Sequence, residues 1–223
     1  MRRRVLVATV FVLVVVISVS VIISLEKQSP VTLPDGEVTQ YQGKNLSSIS
    51  EELVSGISGP QHINASTYRL QVQGLVRNPK SYTYGEVVGG FQSYQKVLTL
   101  DCVEGWSVTI LWKGVLVRDL INEAGALPNA KVVILRAYDG YSTSFPIDYL
   151  MNNNIMVAYN VNNITLPAES GWPFQLVAES KWGYKWIKWI TEIELSNDTS
   201  FRGYWESRGY TNSGDRNSTS LGD

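Results

Sequence analysis

One short stretch limits the possible folds more than any other, because it holds the only cysteine of the 223-residue chain. Cys102 lies between two β-type runs, residues 94–100 and residues 106–111. This pattern predicts a short connection between two buried strands, where a scaffold holds a side chain rigidly. A single cysteine cannot form an internal disulfide. The thiol is therefore an inert buried group, a nucleophile or a metal ligand.

The N-terminal segment has the pattern of a membrane anchor. Three arginines, Arg2, Arg3 and Arg4, precede an apolar run over residues 5–25, and no charge follows before Glu26. A helix of that length is about 31 Å long, which matches the hydrocarbon thickness of a bilayer. Basic residues stay on the cytoplasmic side, so we expect a single-pass anchor with the rest of the chain outside the cytoplasm. A signal peptide is the alternative, but no small-x-small cleavage site follows the run.

Two further features agree with a location outside the cytoplasm. Without the three N-terminal arginines, the chain has 16 basic against 20 acidic residues, a balance that argues against nucleic acid as a partner. Five Asn-x-Ser/Thr sequons could accept glycans; they begin at Asn45, Asn64, Asn163, Asn197 and Asn217.

Composition divides the remaining chain into three parts. Residues 26–65 are polar and contain several prolines, which predicts a spacer; residues 66–210 are long enough for one domain with a core; residues 211–223 are expected to form a flexible tail. Within the domain, predicted strands outnumber short helices, so the predicted class is a strand-rich α+β fold. The predictions tested below are a strand from Tyr68 to Gly74, helices at 81–88 and 117–124, turns at 112–114 and 139–140, and a strand at 186–195.

The residue inventory excludes several kinds of site. One cysteine and one histidine cannot supply the usual ligands of a zinc site. A Cys–His nucleophile pair would need His62, which lies in a polar segment forty residues before Cys102 and is expected to be exposed. The chain has no Gly-x-Ser-x-Gly elbow and no Gly-rich phosphate loop. The residues alone therefore leave the role of Cys102 open.

The stretch around Cys102 resembles the cysteine loop of the sulfite oxidase family of molybdopterin enzymes. The resemblance is greatest to the branch that contains the catalytic subunit of periplasmic protein-methionine-sulfoxide reductase, and it covers roughly residues 68–210. The motifs follow in the family's order: Asp101-Cys102-Val103-Glu104-Gly105-Trp106, Trp112-Lys113-Gly114, Asp139-Gly140-Tyr141, Gly171-Trp172-Pro173-Phe174, Trp182-Gly183-Tyr184-Lys185-Trp186-Ile187-Lys188-Trp189 and Gly203-Tyr204-Trp205-Glu206.

The resemblance implies a sulfite-oxidase-type molybdopterin-binding fold and a set of site residues. Cys102, as a thiolate, would be the catalytic metal ligand of a molybdenum centre, or of a tungsten centre, and a soft thiolate suits such a metal. Trp186, Ile187 and Lys188 would hold the pterin and its phosphate. Lys185 is expected to be a second cation for that phosphate, on the opposite face of the predicted strand. Two positions where the branch has other cofactor-contacting residues are occupied here by Ser170 and Gln175.

The implied function is a two-electron oxygen-atom transfer. Glu104 stands beside Cys102, and a carboxylate there would repel sulfite, so reduction of an S- or N-oxide, small or protein-bound, is favoured over sulfite oxidation. The chain has no Cys-x-x-Cys-His haem motif, and electrons are expected from a separate membrane haem or quinol-linked partner.

A second reading of the same residues is a binding or surface-interaction module that retains the fold without turnover. It is motivated by Gln175, because the branch has an arginine at that position. Metal and pterin content of the purified protein distinguishes this reading from an enzyme.

Overall fold

The structure, a computed structural model, describes residues 36–51 and 56–217. Within these ranges the chain forms twelve strands and three α-helices. The strands are β1 Gln40–Tyr41, β2 Lys44–Asn45, β3 Leu70–Gly74, β4 Lys80–Tyr82, β5 Ser93–Asp101, β6 Ser107–Leu116, β7 Val132–Ala137, β8 Ser142–Pro146, β9 Met156–Val161, β10 Ile164–Thr165, β11 Gln175–Val177 and β12 Ile190–Ser196. The helices are α1 Tyr84–Gly90, α2 Val117–Ala124 and α3 Ile147–Asn152. The predicted strand-rich α+β class is confirmed.

The first sheet is built on the long hairpin of β5 and β6. The two strands pair without interruption from Ser93 opposite Val115 to Asp101 opposite Ser107, so the connecting loop carries Cys102 at the tip of the hairpin. β6 also pairs with β9, and β10 and β11 both pair with β9. The predicted short connection between two strands around Cys102 is confirmed, but only β6 is largely buried, since Leu100 is the one buried residue of β5.

The predicted turn at residues 112–114 is wrong, because β6 continues through it to Leu116. Trp112 is fully buried, and the ladder to β9 shifts register between Lys113 and Gly114. A Cβ on Gly114 would lie 2.1 Å from the carbonyl oxygen of Val157, so this glycine permits close strand approach instead of a turn.

The second sheet has the order β4-β3-β12-β7-β8. β3 and β12 run parallel, and the other neighbours are antiparallel. Val72, Leu135 and Ile193 are fully buried at the centre of this sheet. The predicted hairpin turn at 139–140 is confirmed, with Gly140 in the left-handed region at φ 88 between β7 and β8. The predicted strand at 68–74 is confirmed over Leu70–Gly74.

The helices start and end where local chemistry places them. α2 coincides with its prediction, buries Val117, Leu120 and Ile121, and is capped after Ala124 by Gly125 in the left-handed conformation. α1 begins later than predicted, because residues 80–82 form β4 and Thr83 is the N-cap. Thr83 and Glu86 form a reciprocal capping box.

The predicted strand at 186–195 is partly wrong. A short 3₁₀ helix occupies Gly183–Lys185, and the strand begins only at Ile190. Trp189 has φ 50, which no strand residue adopts. Lys185 and Lys188 are therefore not on opposite faces of one strand, as the alternation had suggested.

Parts of the predicted spacer and tail belong to the folded domain. Val38 and Leu46 pack against Leu111, and the backbone N–H of Val38 donates to the Asn162 carbonyl at 2.9 Å. In the predicted tail, Asp215 accepts a 2.6 Å hydrogen bond from Lys181. The composition of these segments is polar, but their few apolar residues and ion-paired residues hold them against the domain.

The predicted anchor at residues 1–25 lies outside the described residues. In the described ranges 36–51 and 56–217, no helix is long and apolar enough to cross a bilayer.

Candidate functional site

A cavity of about 350 Å³ opens beside the tip of the β5–β6 hairpin. Both sheets contribute to its walls. The hairpin loop supplies Cys102 and Glu104, the β7–β8 turn supplies Asp139, and the first residue of β11 supplies Gln175. Most of the remaining wall comes from two segments, residues 183–189 and residues 204–210, and Gly56 and Ile57 also line the cavity.

The Cys102 loop has a fixed backbone geometry. The N–H of Cys102 donates to the Trp106 carbonyl at 2.9 Å, and the Gly105 N–H donates to the Cys102 carbonyl at 3.1 Å. Gly105 has φ 91, a conformation in which glycine carries no steric penalty. Gly183 approaches the same loop, since a Cβ there would lie 3.2 Å from the Asp101 carbonyl oxygen. The loop therefore presents one thiol on rigid backbone.

The electrostatic environment of the Cys102 thiol is mixed. The side chain is partly buried, and this desolvation is the main cause that raises its pKa; the Glu104 carboxylate acts in the same direction. Backbone N–H groups of Glu104 and Val103 and the Lys188 ammonium act in the opposite direction. The protein alone thus favours the thiol, and a metal that binds sulfur would displace its proton.

Gln175 is the clearest sign that the cavity receives a polar ligand. The residue is fully buried and lines the cavity. Neither its Oε1 nor its Nε2 has a hydrogen-bond partner among the described residues. A buried amide without partners costs roughly 1–3 kcal/mol, so such groups normally serve a ligand, ion or water.

The predicted residues Trp186, Ile187 and Lys188 all line the cavity. Trp186 is held by a 3.0 Å hydrogen bond from its indole Nε1 to the Lys181 carbonyl. Lys188 packs against Gly171, where a Cβ would lie 2.9 Å from the Lys188 Cβ. Gly171 has φ 118, so glycine both adopts this backbone and leaves room for the lysine.

The structure does not bring Lys185 into the cavity. Its ammonium is fully buried and donates to the Ser144 carbonyl at 2.8 Å, to Glu206 Oε1 at 2.7 Å and to the Asn212 carbonyl at 2.9 Å. An ammonium has three N–H donors, and all three are engaged. Burial lowers the pKa of Lys185, and the Glu206 carboxylate opposes that shift. In this arrangement Lys185 stabilises the fold and has no donor left for a phosphate.

Ser170 and His62 also lie away from the cavity walls. Ser170 is buried, and its backbone N–H donates to the Pro167 carbonyl at 3.1 Å. His62 is exposed, as predicted. In the described part of the chain, no group of three His, Cys, Asp or Glu side chains is placed to hold a metal ion.

Aromatic residues form part of the cavity wall, and the sequence had not predicted this role for them. Tyr204, Trp205 and Tyr210 line it, together with Tyr141 and Tyr184. Four of these residues occur in the family motifs given above, and Tyr210 does not. The sequence did contain an indication of this role. Three aromatic residues lie within seven positions after the last strand, and such a cluster indicates a segment whose side chains pack against the rest of the domain or a ligand.

The available groups fit a pterin cofactor. A pterin is a flat ring system whose edges donate and accept hydrogen bonds, and molybdopterin adds sulfur donors and a phosphate. The cavity offers the unpartnered Gln175 amide, the flat Trp186 ring and the Lys188 ammonium, beside the Cys102 thiol. Fold and site together thus define an oxidoreductase of the molybdopterin-binding class.

Comparisons with known proteins agree. Residues 57–205 match the family model described as oxidoreductase molybdopterin binding domain, and the chain belongs to this family. Its cofactor is accordingly molybdopterin, and the resemblance seen in the sequence is confirmed. An uncharacterized oxidoreductase, YuiH, from Bacillus subtilis (strain 168) is 32% identical over 157 residues, which cover 70% of this chain and 78% of that protein.

Two other proteins extend the comparison. The protein-methionine-sulfoxide reductase catalytic subunit MsrP of Xanthomonas campestris pv. campestris is 26% identical over 174 residues, 71% of this chain and 53% of the relative. The chain thus spans about half the length of that reductase. The crystal structure of the sulfane dehydrogenase SoxCD from Paracoccus pantotrophus superposes with a TM-score of 0.62 at 22% identity, covering 70% of this chain and 43% of that chain. This likeness shows the sulfite-oxidase-type fold.

Proposed function

We propose that the chain reduces an S- or N-oxide by oxygen-atom transfer, with Cys102 as the thiolate ligand of a molybdenum centre. The observation that carries the proposal is the position of Cys102, at a rigid hairpin tip that opens into the cavity of the unpartnered Gln175 amide. The MsrP relatives, named as methionine-sulfoxide reductases, support the same type of reaction.

Each residue of the site has a defined task in this proposal. Cys102 holds the metal, Gln175 pairs with a polar edge of the pterin, and Lys188 binds the phosphate as a point charge. Trp186 and Ile187 form a dry wall against which a flat ring packs. Molybdopterin, when bound, supplies a two-electron redox centre with which an oxygen atom can be exchanged. The overall reaction takes two electrons and two protons, and converts R₂SO into R₂S and water.

The charge at the mouth of the cavity supports reduction of an oxide over oxidation of sulfite. The Glu104 carboxylate lies two residues from Cys102, and it accepts a 3.3 Å hydrogen bond from the indole Nε1 of Trp106. This contact holds a negative charge beside the thiol. A dianionic substrate is repelled there, whereas an uncharged oxide is not.

The proposal includes an outward-facing, membrane-anchored chain with a separate electron donor. The basic cluster and apolar run at the N-terminus support the anchor. All five sequon asparagines are exposed, which is compatible with an extracytoplasmic surface. A membrane haem or quinol-linked protein would be the source of the two electrons. Alkaline extraction of membranes and protease protection of spheroplasts test the anchor and its orientation.

Metal and pterin analysis is the decisive test of the proposed function. Protein made in a host that synthesises the cofactor should contain molybdenum and pterin in near-equimolar amounts, and should reduce methyl sulfoxides with a reduced viologen dye. The variant Cys102→Ser should lose activity but keep the fold, while Ser107→Ala, an exposed control on the same hairpin, should keep both. Absence of molybdenum and tungsten, or full activity in Cys102→Ser, would overturn the proposal.

A further inference from the structure

Five aromatic side chains form a continuous belt along the cavity. Ring centroids are 5.7 Å apart between Tyr141 and Tyr204, 5.3 Å between Tyr204 and Trp205, and 5.5 Å between Trp205 and Tyr210. Tyr210 lies 5.0 Å from Tyr184. The circle closes where the Tyr141 hydroxyl donates to the Tyr184 carbonyl at 2.5 Å. We call these five residues the aromatic belt.

The aromatic belt is held in place from behind by buried polar contacts. Glu206, between Trp205 and Tyr210 in the chain, accepts hydrogen bonds from the Lys185 ammonium at 2.7 Å and the Thr143 hydroxyl at 2.5 Å. The Tyr184 hydroxyl donates to the Thr211 carbonyl at 2.8 Å. The belt is therefore a preorganised wall, so little conformational entropy is lost when a ligand binds to it.

The charges along the cavity are unequal. Of the described residues that line it, Glu104 and Asp139 are acidic and Lys188 is basic. The proposed function assigns Lys188 to the cofactor phosphate, so the charge left for a substrate is negative. Arg208 lies over the Tyr204 ring at 3.6 Å but does not line the cavity.

Aromatic faces beside carboxylates have a specific binding preference. The negative face of an aromatic ring attracts positive charge, and rings with nearby carboxylates bind alkylated cations. In a sulfoxide or an amine N-oxide, the sulfur or nitrogen and its methyl groups carry the positive end of the S–O or N–O dipole. This positive end can contact the aromatic faces of the belt, while the oxide oxygen points towards the redox centre.

We propose that the aromatic belt is the substrate subsite, and that it selects neutral or cationic methyl-bearing S- or N-oxides over anionic ones. The inference rests on the proposed function and names the substrate class of the same site. Trp205 is 38% exposed, so a substrate reaches the belt directly from solvent. The Asp139 carboxylate sets the charge preference from the β7–β8 turn, where its Oδ1 accepts a 3.0 Å hydrogen bond from the Tyr141 N–H.

The first test replaces the belt's most exposed ring. With the loaded enzyme, reduced viologen and N-acetylmethioninamide sulfoxide, Trp205→Leu should raise KM about fivefold or more with kcat nearly unchanged, because it removes binding by a π face. Trp205→Phe, which keeps a π face, should restore most of the loss. Tyr94→Leu is the matched control, since Tyr94 is an exposed aromatic residue outside the cavity. Equal KM values for Trp205→Leu and Tyr94→Leu would overturn the inference.

The second test compares three probes that share one methyl sulfoxide group. Methioninamide sulfoxide is cationic, N-acetylmethioninamide sulfoxide is neutral and N-acetylmethionine sulfoxide is anionic. The anion should have the lowest kcat/KM, by roughly tenfold at low salt, and Asp139→Asn should shrink that gap while keeping the turn hydrogen bond. An anion that reacts as well as the neutral probe would overturn the charge preference.

Calorimetric titration separates a failure of this inference from a failure of the proposed function. The neutral sulfoxide is titrated into the protein without reductant, so turnover does not contribute to the signal. If no oxide is reduced but binding is seen and is lost in Trp205→Leu, the proposed function fails and the belt remains only a binding site for the oxide. If oxides are reduced but Trp205→Leu binds as the parent does, the subsite fails alone.

Discussion

Lys185 and Gln175 are both fully buried polar residues, but they differ in the hydrogen-bond partners of their side chains. The Lys185 ammonium has three acceptors, one of them charged. The Gln175 amide has no partner among the described residues. A satisfied buried group belongs to the fold, and an unsatisfied one is typical of a site that receives a ligand. The two residues should therefore respond oppositely to substitution.

Replacing Gln175 by leucine should separate stability from cofactor binding. Gln175→Leu removes a buried amide without partners, so the free energy of unfolding of cofactor-free protein should rise by about 1 kcal/mol. The pterin content of protein purified from a competent host should fall, because the amide contact is gone. Urea unfolding and pterin assay check the two results. The control Gln95→Leu, at an exposed position of β5, should change neither. A destabilised cofactor-free Gln175→Leu would contradict the assignment.

Replacing Lys185 by methionine should destabilise the fold. Lys185→Met leaves the buried Glu206 carboxylate without its cation, which costs about 3–5 kcal/mol of unfolding free energy. Removal of the second charge in Lys185→Met/Glu206→Gln should recover a large part of this loss. Denaturant titration of cofactor-free protein checks the result. If stability were unchanged and only cofactor content fell, Lys185 would be a phosphate ligand as the sequence had suggested.

Cys102 and Lys188 line the cavity as the sequence predicted, whereas Lys185 does not, and the difference has one physical reason. The lone cysteine between two β-type runs could be placed on a hairpin loop, because strand periodicity is local. Lys185 and Lys188 differ by three positions, and the family resemblance suggested that both of them bind the cofactor phosphate. Only the structure shows that Glu206, 21 residues further on, engages Lys185. Local patterns do not reveal partners that distant in the chain.

At the scale of elements, the β5–β6 hairpin positions the site, and Gly114 determines how β6 meets β9. The run Trp112-Lys113-Gly114 has the composition of a turn, so the sequence predicted one. In the structure the glycine lies where the β9 backbone comes closest. Glycine is favoured both in a turn and where two strands approach closely. Which of the two applies at Gly114 depends on β9, and that strand begins only at Met156, far along the chain.

Gly114→Ala and Gly89→Ala form a matched pair that tests this explanation. A Cβ on Gly114 would lie 2.1 Å from the Val157 carbonyl oxygen, so Gly114→Ala should destabilise by about 1–3 kcal/mol. Gly89 is an exposed residue of α1 with no atom within 4 Å of the added Cβ, and Gly89→Ala should stabilise by about 0.4–1 kcal/mol. Thermal unfolding of both variants measures the difference. Equal effects would mean that β9 does not approach β6 at Gly114.

At the scale of the whole molecule, the cavity lies where the chain crosses between the two sheets. β11 belongs to the first sheet and β12 to the second, and the segment that joins them carries Trp186, Ile187 and Lys188. The β5–β6 hairpin tip and the β7–β8 turn meet at the same place. The number of predicted strands was enough to predict the α+β class. The loops that converge on the cavity could not be predicted, because they depend on the order of the strands in each sheet.

Cofactor binding should therefore stabilise the whole domain and not one loop. At a hundredfold excess over its dissociation constant, a ligand adds about 2.7 kcal/mol, which raises Tm by roughly 5–10 °C for a domain of this size. Calorimetry of loaded and cofactor-free protein measures that shift. Hydrogen exchange should show added protection at residues 102–106 and 183–189 together, because both segments line one cavity. Protection of only one segment, or an unchanged Tm in protein with full pterin content, would contradict a cofactor held between the two sheets.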